Sequence, residues 1–228
     1  MYAQPLPDNT IRARNAASLL MVTTVIYCVF TLRSLIKLIS QEMYFNYLEY
    51  FTIADGVLGL VQLVVLILSI VFFIMWFRRA YNNLHICQVK TLPFSEGWAS
   101  GSWFVPIISL HYPYRIMKSI WIETQLALRK QGERYETYVD GYLGWWWTFW
   151  LIGNIVSNIQ AQLTLRGEFS IHEPGMIVME LISDSSMLIA AYLCWRMIKK
   201  TSAMEDDLHQ RYNEWLAFQT QQKAEQYQ

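Results

Sequence analysis

The sequence predicts an all-α, polytopic membrane helix bundle. It has four transmembrane helices, a proline-broken re-entrant or interfacial element, and amphipathic helices on the inner side. Three observations lead there. Charged residues make up 16% of the 228-residue chain and hydrophobic ones 54%, whereas soluble domains average about 25% charged. The apolar residues gather in runs near the roughly 20 residues a helix needs to cross a hydrocarbon core. The basic residues between those runs fall on alternate sides.

Residues 1–15 form a polar inner segment with Pro5, Pro7, Arg12 and Arg14. The apolar stretch behind it is too long for a signal-peptide core and lacks a clear cleavage site, so it reads as an uncleaved anchor. The membrane domain covers 16–198, with spans at about 16–37, 53–77, 142–165 and 176–198. The second, with "VLGLVQLVVLILSIVFFIMWF", is the most continuous; the third and fourth carry more polar residues. Helices are required because backbone amides in lipid must be satisfied within their own segment. The strand-like alternation of a membrane barrel is missing from these runs.

Loop charge sets the orientation. Arg12 and Arg14 precede the first span, and the loop after it has Glu42 and Glu49 with no basic residue. The loop 78–141 carries Arg78, Arg79, Lys90, Arg115 and Lys118, and the tail 199–228 begins with Lys199 and Lys200. This bias puts both termini and the long loop inside. The tail reads as a polar helix with Leu208, Tyr212 and Trp215 along one stripe.

The inner loop contains "GWASGSWFVPIISLHYPYR", residues 97–115. Its apolar part is too short to span and too apolar for an ordinary soluble loop. Pro106 breaks a helix, and Pro113 suits the first turn of a new one. From there Ile116 and Ile120 share one side, with Tyr114, Met117 and Trp121 beside them, as in an amphipathic helix at a membrane surface. The candidate interfacial or partner-binding element, within 97–124, is therefore Trp98, Trp103, Phe104, Pro106, Pro113, Tyr114 and Trp121. Its tryptophans and tyrosine suit the headgroup level.

The same residues carry a family resemblance. The basic-Asn element of Arg78 or Arg79 with Asn82 or Asn83, then Trp98, the run Trp103, Phe104, Pro106, and then Pro113-Tyr114 and Trp121, resemble the core pattern of the bacterial DUF4328 membrane proteins. "LGWWWTFWLIGNIVSN" continues the likeness, which covers roughly Arg12 to Lys200. Two departures stand out. Ser95-Glu96-Gly97-Trp98 replaces a Pro-Gly-Trp, with Pro93 displaced, and Ser109 stands before Leu110 where an Asn is usual. The resemblance implies a multi-span protein of a bacterial inner membrane. It supplies neither a reaction nor catalytic residues, because the function of the family is unknown.

Polar groups inside spans are costly and are functional candidates by default. They are Arg33, Gln62, Asn154, Asn158, Gln162, Glu180 and Asp184, all in the outer half or near mid-membrane at about 1.5 Å per residue. Asn154, Asn158 and Gln162 follow i, i+4, i+8 spacing; Glu180 and Asp184 are also i, i+4. Arg33 and Glu180 fall at similar depth and are placed to pair, with Lys37 shallower. Asp184 lies near the levels of Gln62 and Asn158.

No catalytic motif is present: there is no H-E-x-x-H, G-x-S-x-G or Walker loop. All four histidines lie outside the spans, so an intramembrane bis-histidine haem is not expected. Cys28, Cys87 and Cys194 form no C-x-x-C. No metal, cofactor or enzymatic activity is expected. The zero formal net charge gives nucleic acid no electrostatic support. The expected partners are the lipid bilayer and a membrane protein or a second copy of the chain. The preferred function is a scaffold or assembly partner. The competing reading is a small transporter or channel-like binder of an ion or polar solute through the outer polar cluster.

Overall fold

A computed structural model describes residues 4–40, 48–130, 141–167 and 173–226. Glu42 and the side chain of Glu49 lie outside the described residues. The described chain is all-α, with no strand. Helix α1 is Thr10–Ile39, α2 Leu48–Ile86, α3 the single turn Trp98–Gly101, α4 Tyr112–Lys130, α5 Tyr142–Leu165 and α6 Pro174–Gln226, with a 3-10 turn at Ile108–Leu110.

Three of these, α1, α2 from Gly56 onward, and α6, are long and apolar enough to cross a membrane. Their exposed residues are of the kind hydrocarbon accepts: Val25, Val29 and Leu32 on α1, and Leu60, Val64 and Ile67 on α2. Helix α5 has 24 residues, with Asn154, Asn158, Gln160 and Gln162 interrupting its apolar face.

The chain divides into two compact units. Unit 1 comprises 1–16, 71–143 and 197–228; unit 2 comprises 17–70 and 144–196. Unit 1 has an aromatic core, in which Trp76, Phe77 and Tyr81 are fully buried on α2. Helix α4 contributes Ile116, Met117, Ile120, Trp121, Thr124 and Leu128, all buried at helical spacing. Helix α6 adds Ile198, Thr201, Met204, Glu205 and Leu208.

The proline-broken element is a succession of turns tied to this core by rings. Trp103 sets its edge against Phe73 and Phe77, at centroid distances of 5.4 and 5.8 Å. Such pairs contribute about 0.5–1.5 kcal/mol each beyond area burial. Phe94 stacks on Tyr112 at 3.9 Å, and the Tyr81 hydroxyl donates to the Phe94 carbonyl at 2.8 Å. The apex points away from the core: Phe104 is 73% and Ile107 81% exposed. Ile107 has φ 68° and ψ −49°, and the Ile108 amide donates to the Pro106 carbonyl at 2.8 Å. That i→i+2 bond with positive φ is the rarer, strained form of γ-turn.

In unit 2, α5 and α6 approach closely at Gly153. A Cβ there would lie 2.7 Å from Met187 Cγ and 3.4 Å from the Ser183 carbonyl oxygen. The Ser183 hydroxyl donates to the Gly153 carbonyl at 3.3 Å. Small residues with hydroxyl bonds across the seam are a common way to pack helices in lipid.

Candidate functional sites

Unit 2 gathers part of the predicted polar cluster. Arg33 of α1 donates to Glu180 of α6. Lys37, one turn along α1, donates to both oxygens of that carboxylate at 3.1 and 3.3 Å. The hydroxyl of Ser34, between the two cations, donates to Asp184 at 3.4 Å. Two carboxylates one turn apart on α6 thus face two cations and a hydroxyl on α1. The predicted Arg33–Glu180 pairing is realised, with Lys37 as a second donor.

The amides do not join this group. The Asn154 side chain donates back to the Trp150 carbonyl at 2.8 Å, and that of Asn158 to the Asn154 carbonyl, also at 2.8 Å. Asn158 and Gln162 are exposed. Gln62 lies near the Tyr27 hydroxyl. Helical spacing placed the three α5 amides on one side correctly, but depth along an axis says nothing about the azimuth at which neighbours arrive.

The interfacial element divides in the same way. Phe104 and Pro106 are exposed at its apex, Trp98, Trp103 and Tyr114 are half-buried, and Pro113 is buried. Trp121 is only 3% exposed, with the Lys200 ammonium 6.0 Å from its ring centre. It acts as a packing residue within unit 1.

Unit 1 holds two features outside the predicted site residues, the first built in part on the Leu208, Tyr212 and Trp215 stripe that the sequence places on the tail helix. The first is a groove of about 670 Å³ lined by Cys87, Leu126, Leu208, Arg211, Tyr212, Trp215 and Phe218, among others. Its floor comes from the buried Leu208, and its rim from Trp215 and Phe218, which are 51% and 58% exposed. The end of α2 shapes one wall. Gln88 adopts φ 54°, and the Val89 amide bonds to the Leu84 carbonyl at 3.2 Å, a helix stop of the Schellman type. Burial pushes the Cys87 thiol up to about 11.

The second is Glu205, buried on α6. Asn9 Nδ2 donates to its two oxygens at 3.1 and 3.3 Å, and the Trp76 indole Nε1 donates to Oε2 at 3.1 Å. Glu205 stands in the acidic run "MEDD", which reads as solvated from composition. The available signal was register: Thr201, Met204, Glu205 and Leu208 continue the buried stripe of Cys194, Met197 and Ile198 on one unbroken helix. Among the described residues no group of three or more His, Cys, Asp or Glu is placed to hold a metal ion.

These residues lie largely within a region with a family signature. The profile of a domain of unknown function, DUF4328, matches residues 43–203. The chain belongs to the DUF4328 family. The match starts at Met43, so Arg12 to Glu42 in the sequence likeness fall outside it: the matched region excludes α1, and with it Arg33, Ser34 and Lys37. Glu180, Asp184, the Trp103–Pro106 apex and Trp121 fall inside. Glu205 lies two positions past its end. No curated protein and no solved structure shows significant similarity to this DUF4328 chain.

Proposed function

We propose that this DUF4328 protein is a non-enzymatic, multi-pass scaffold of the bacterial cell membrane. In this reading it crosses four times, with α5 as the remaining span, and keeps both termini and loop 78–141 in the cytoplasm. The Phe104–Ile107 apex rests in the inner leaflet. Three membrane-length apolar helices support the placement, as do the basic residues of the loop and tail. The exposed apolar apex next to Arg115 and Lys118 fits a lipid surface, which accepts apolar side chains and attracts cations.

The groove carries the scaffold reading. Its length along α4 and α6, its apolar floor and its aromatic rim suit the apolar face of an amphipathic helix from a membrane-protein partner. Aromatic anchors of this kind dominate the energetics of interfaces. A photoreactive amino acid at Trp215 or Phe218, with Lys223 as a distal control, tests this in intact cells. A discrete protein adduct at the first two positions, lost on Leu126→Glu, is the expected result. Lipid adducts alone, or equal labelling at Lys223, would overturn it.

One observation favours solute binding as a second reading. Among the described residues Asp184 accepts only the 3.4 Å bond from Ser34, so its carboxylate has acceptor capacity to spare. Thermal stabilisation of wild type by a monovalent cation, abolished by Asp184→Asn, would move this reading ahead.

A further inference from the structure

The segment before α1 is held in unit 1 by hydrogen bonds that each involve a side chain, some to backbone groups and some to other side chains. The Asn213 amide pairs with both polar groups of Leu6: the Leu6 N–H donates to Oδ1 at 2.9 Å, and Nδ2 donates to the Leu6 carbonyl at 3.3 Å. Asn83 Nδ2 donates to the Pro7 carbonyl at 3.2 Å. Leu6 itself is buried. Asn9 would be expected to cap α1. Its side chain instead turns inward, donating to the Trp76 carbonyl at 3.2 Å and to Glu205. Thr10 reaches Asp206 at 2.9 Å.

Glu205 is thus the buried end of the fastening, and its surroundings suit a neutral carboxyl. It meets two neutral donors and, among the described residues, no cation. Two nearby buried oxygens, Asn9 Oδ1 and Thr201 Oγ1 one turn back on α6, lack partners, so the site has acceptors to spare. The charged groups whose fields reach it are Asp206 on α6 and Asp8 on the segment, both acidic. A buried carboxylate without a cation is strongly disfavoured relative to its protonated form.

We propose that Glu205 carries a proton while residues 5–10 are docked, and that loss of this proton releases the segment, making it a pH-sensitive strap. Undocking opens Glu205 to water, where the charged form is no longer penalised. Burial first, then the two aspartates, push the docked carboxyl up to about 8 from 4.5, against the opposing hydrogen bonds from Asn9 and Trp76. The docked state has the higher value, so docking is strongest below 4.5, weakens as pH rises towards about 8, and changes little beyond that.

Hydrogen–deuterium exchange on the full-length protein in lipid nanodiscs, with rates corrected for intrinsic chemistry, tests the strap. The Leu6–Thr10 region is followed from pH 6 to pH 9.5, with Ile116–Thr124 of α4 as the internal reference for folded protein. The docking constant is expected to fall by about tenfold per pH unit between 6 and 8 and then level off. Glu205→Gln is expected to flatten that profile while retaining protection, and Asn213→Ala to lower protection at every pH with the slope kept. Flat wild-type protection with the α4 reference intact overturns the proposal, as does a Glu205→Gln profile that falls like wild type. If Glu205→Gln does not fold, the wild-type series decides alone.

Discussion

Arg33 and Glu180 stand 147 positions apart and meet across unit 2, with Lys37 closing on the same carboxylate from one turn along α1. Both sides are largely shielded, at 17% exposure for Arg33 and Glu180 and 9% for Lys37. Removing one member therefore leaves charge behind. Glu180→Ala strands two cations and is expected to destabilise by about 3 kcal/mol or more. The triple change Arg33→Met, Lys37→Met, Glu180→Leu removes these three charges together, leaving Asp184 with the Ser34 hydroxyl, and is expected to recover most of that loss. Apparent Tm in detergent for the four single variants and the triple checks this. A triple variant worse than Glu180→Ala would show that the pair stabilises beyond its own desolvation.

This pairing was legible because depth can be counted along a helix and opposite charges at one depth have few other places to go. The range of α5 was legible for the same kind of reason, since it occupies the residues whose apolar run marked it, whereas α1, α2 and α6 run beyond their apolar stretches and the tail continues α6 without a break. Azimuth was not legible. Asn158 and Gln162 share the side of α5 assigned to them, yet both are exposed, and Asn158 donates to the Asn154 carbonyl of its own helix. Glu205 was hidden by its neighbours, since Asp206 and Asp207 are exposed and make the run look solvated. Only continuation of α6 as one 53-residue helix carries the buried stripe far enough to include it.

Water access separates a packed cluster from a pocket. In a background without Cys28, Cys87 and Cys194, a membrane-impermeant thiol reagent is applied to intact cells carrying Asp184→Cys or Glu49→Cys. Labelling at position 49 with silence at 184 is expected for packed helices. Labelling at both would favour the solute-binding reading. Silence at 49 in expressed, folded protein would reverse the proposed orientation.

Gly153 is expected to tolerate no large side chain. Its missing Cβ is what lets Met187 and the Ser183 carbonyl approach. Alanine requires Met187 to shift, a flexible thioether that can move at a cost of about 1 kcal/mol. Leucine forces α5 and α6 apart and is expected to lower apparent Tm several times more than alanine does. Equal effects of Gly153→Ala and Gly153→Leu would mean the seam is not closely packed in the membrane.

The Cys87 thiol gives the groove a pH readout. Burial raises it to about 11, so the thiolate is scarce at pH 8 and its fraction grows about tenfold per pH unit up to that value. With Cys28 and Cys194 replaced by alanine, alkylation by iodoacetamide is expected to be slow at pH 8 and to accelerate through pH 10. An amphipathic helix seated in the groove would slow it at every pH. A rate plateau near pH 9 would place Cys87 in water instead.

The γ-turn at Ile107 sets two effects against each other. A β-branched residue at φ 68° costs about 1–3 kcal/mol of backbone strain, which glycine would relieve. In detergent solution Ile107→Gly is therefore expected to raise apparent Tm. The same side chain is 81% exposed at the apex, and transfer of an isoleucine from water into the inner leaflet is favourable by about 1.5–3 kcal/mol. If the apex rests in lipid, the gain should vanish or reverse when the protein is reconstituted in bilayers, and Phe104→Ser, which relieves no strain, should lose stability in bilayers more than in detergent. Equal stabilisation of Ile107→Gly in both settings would place the apex in water and withdraw the leaflet contact from the scaffold reading, leaving the groove as its remaining support.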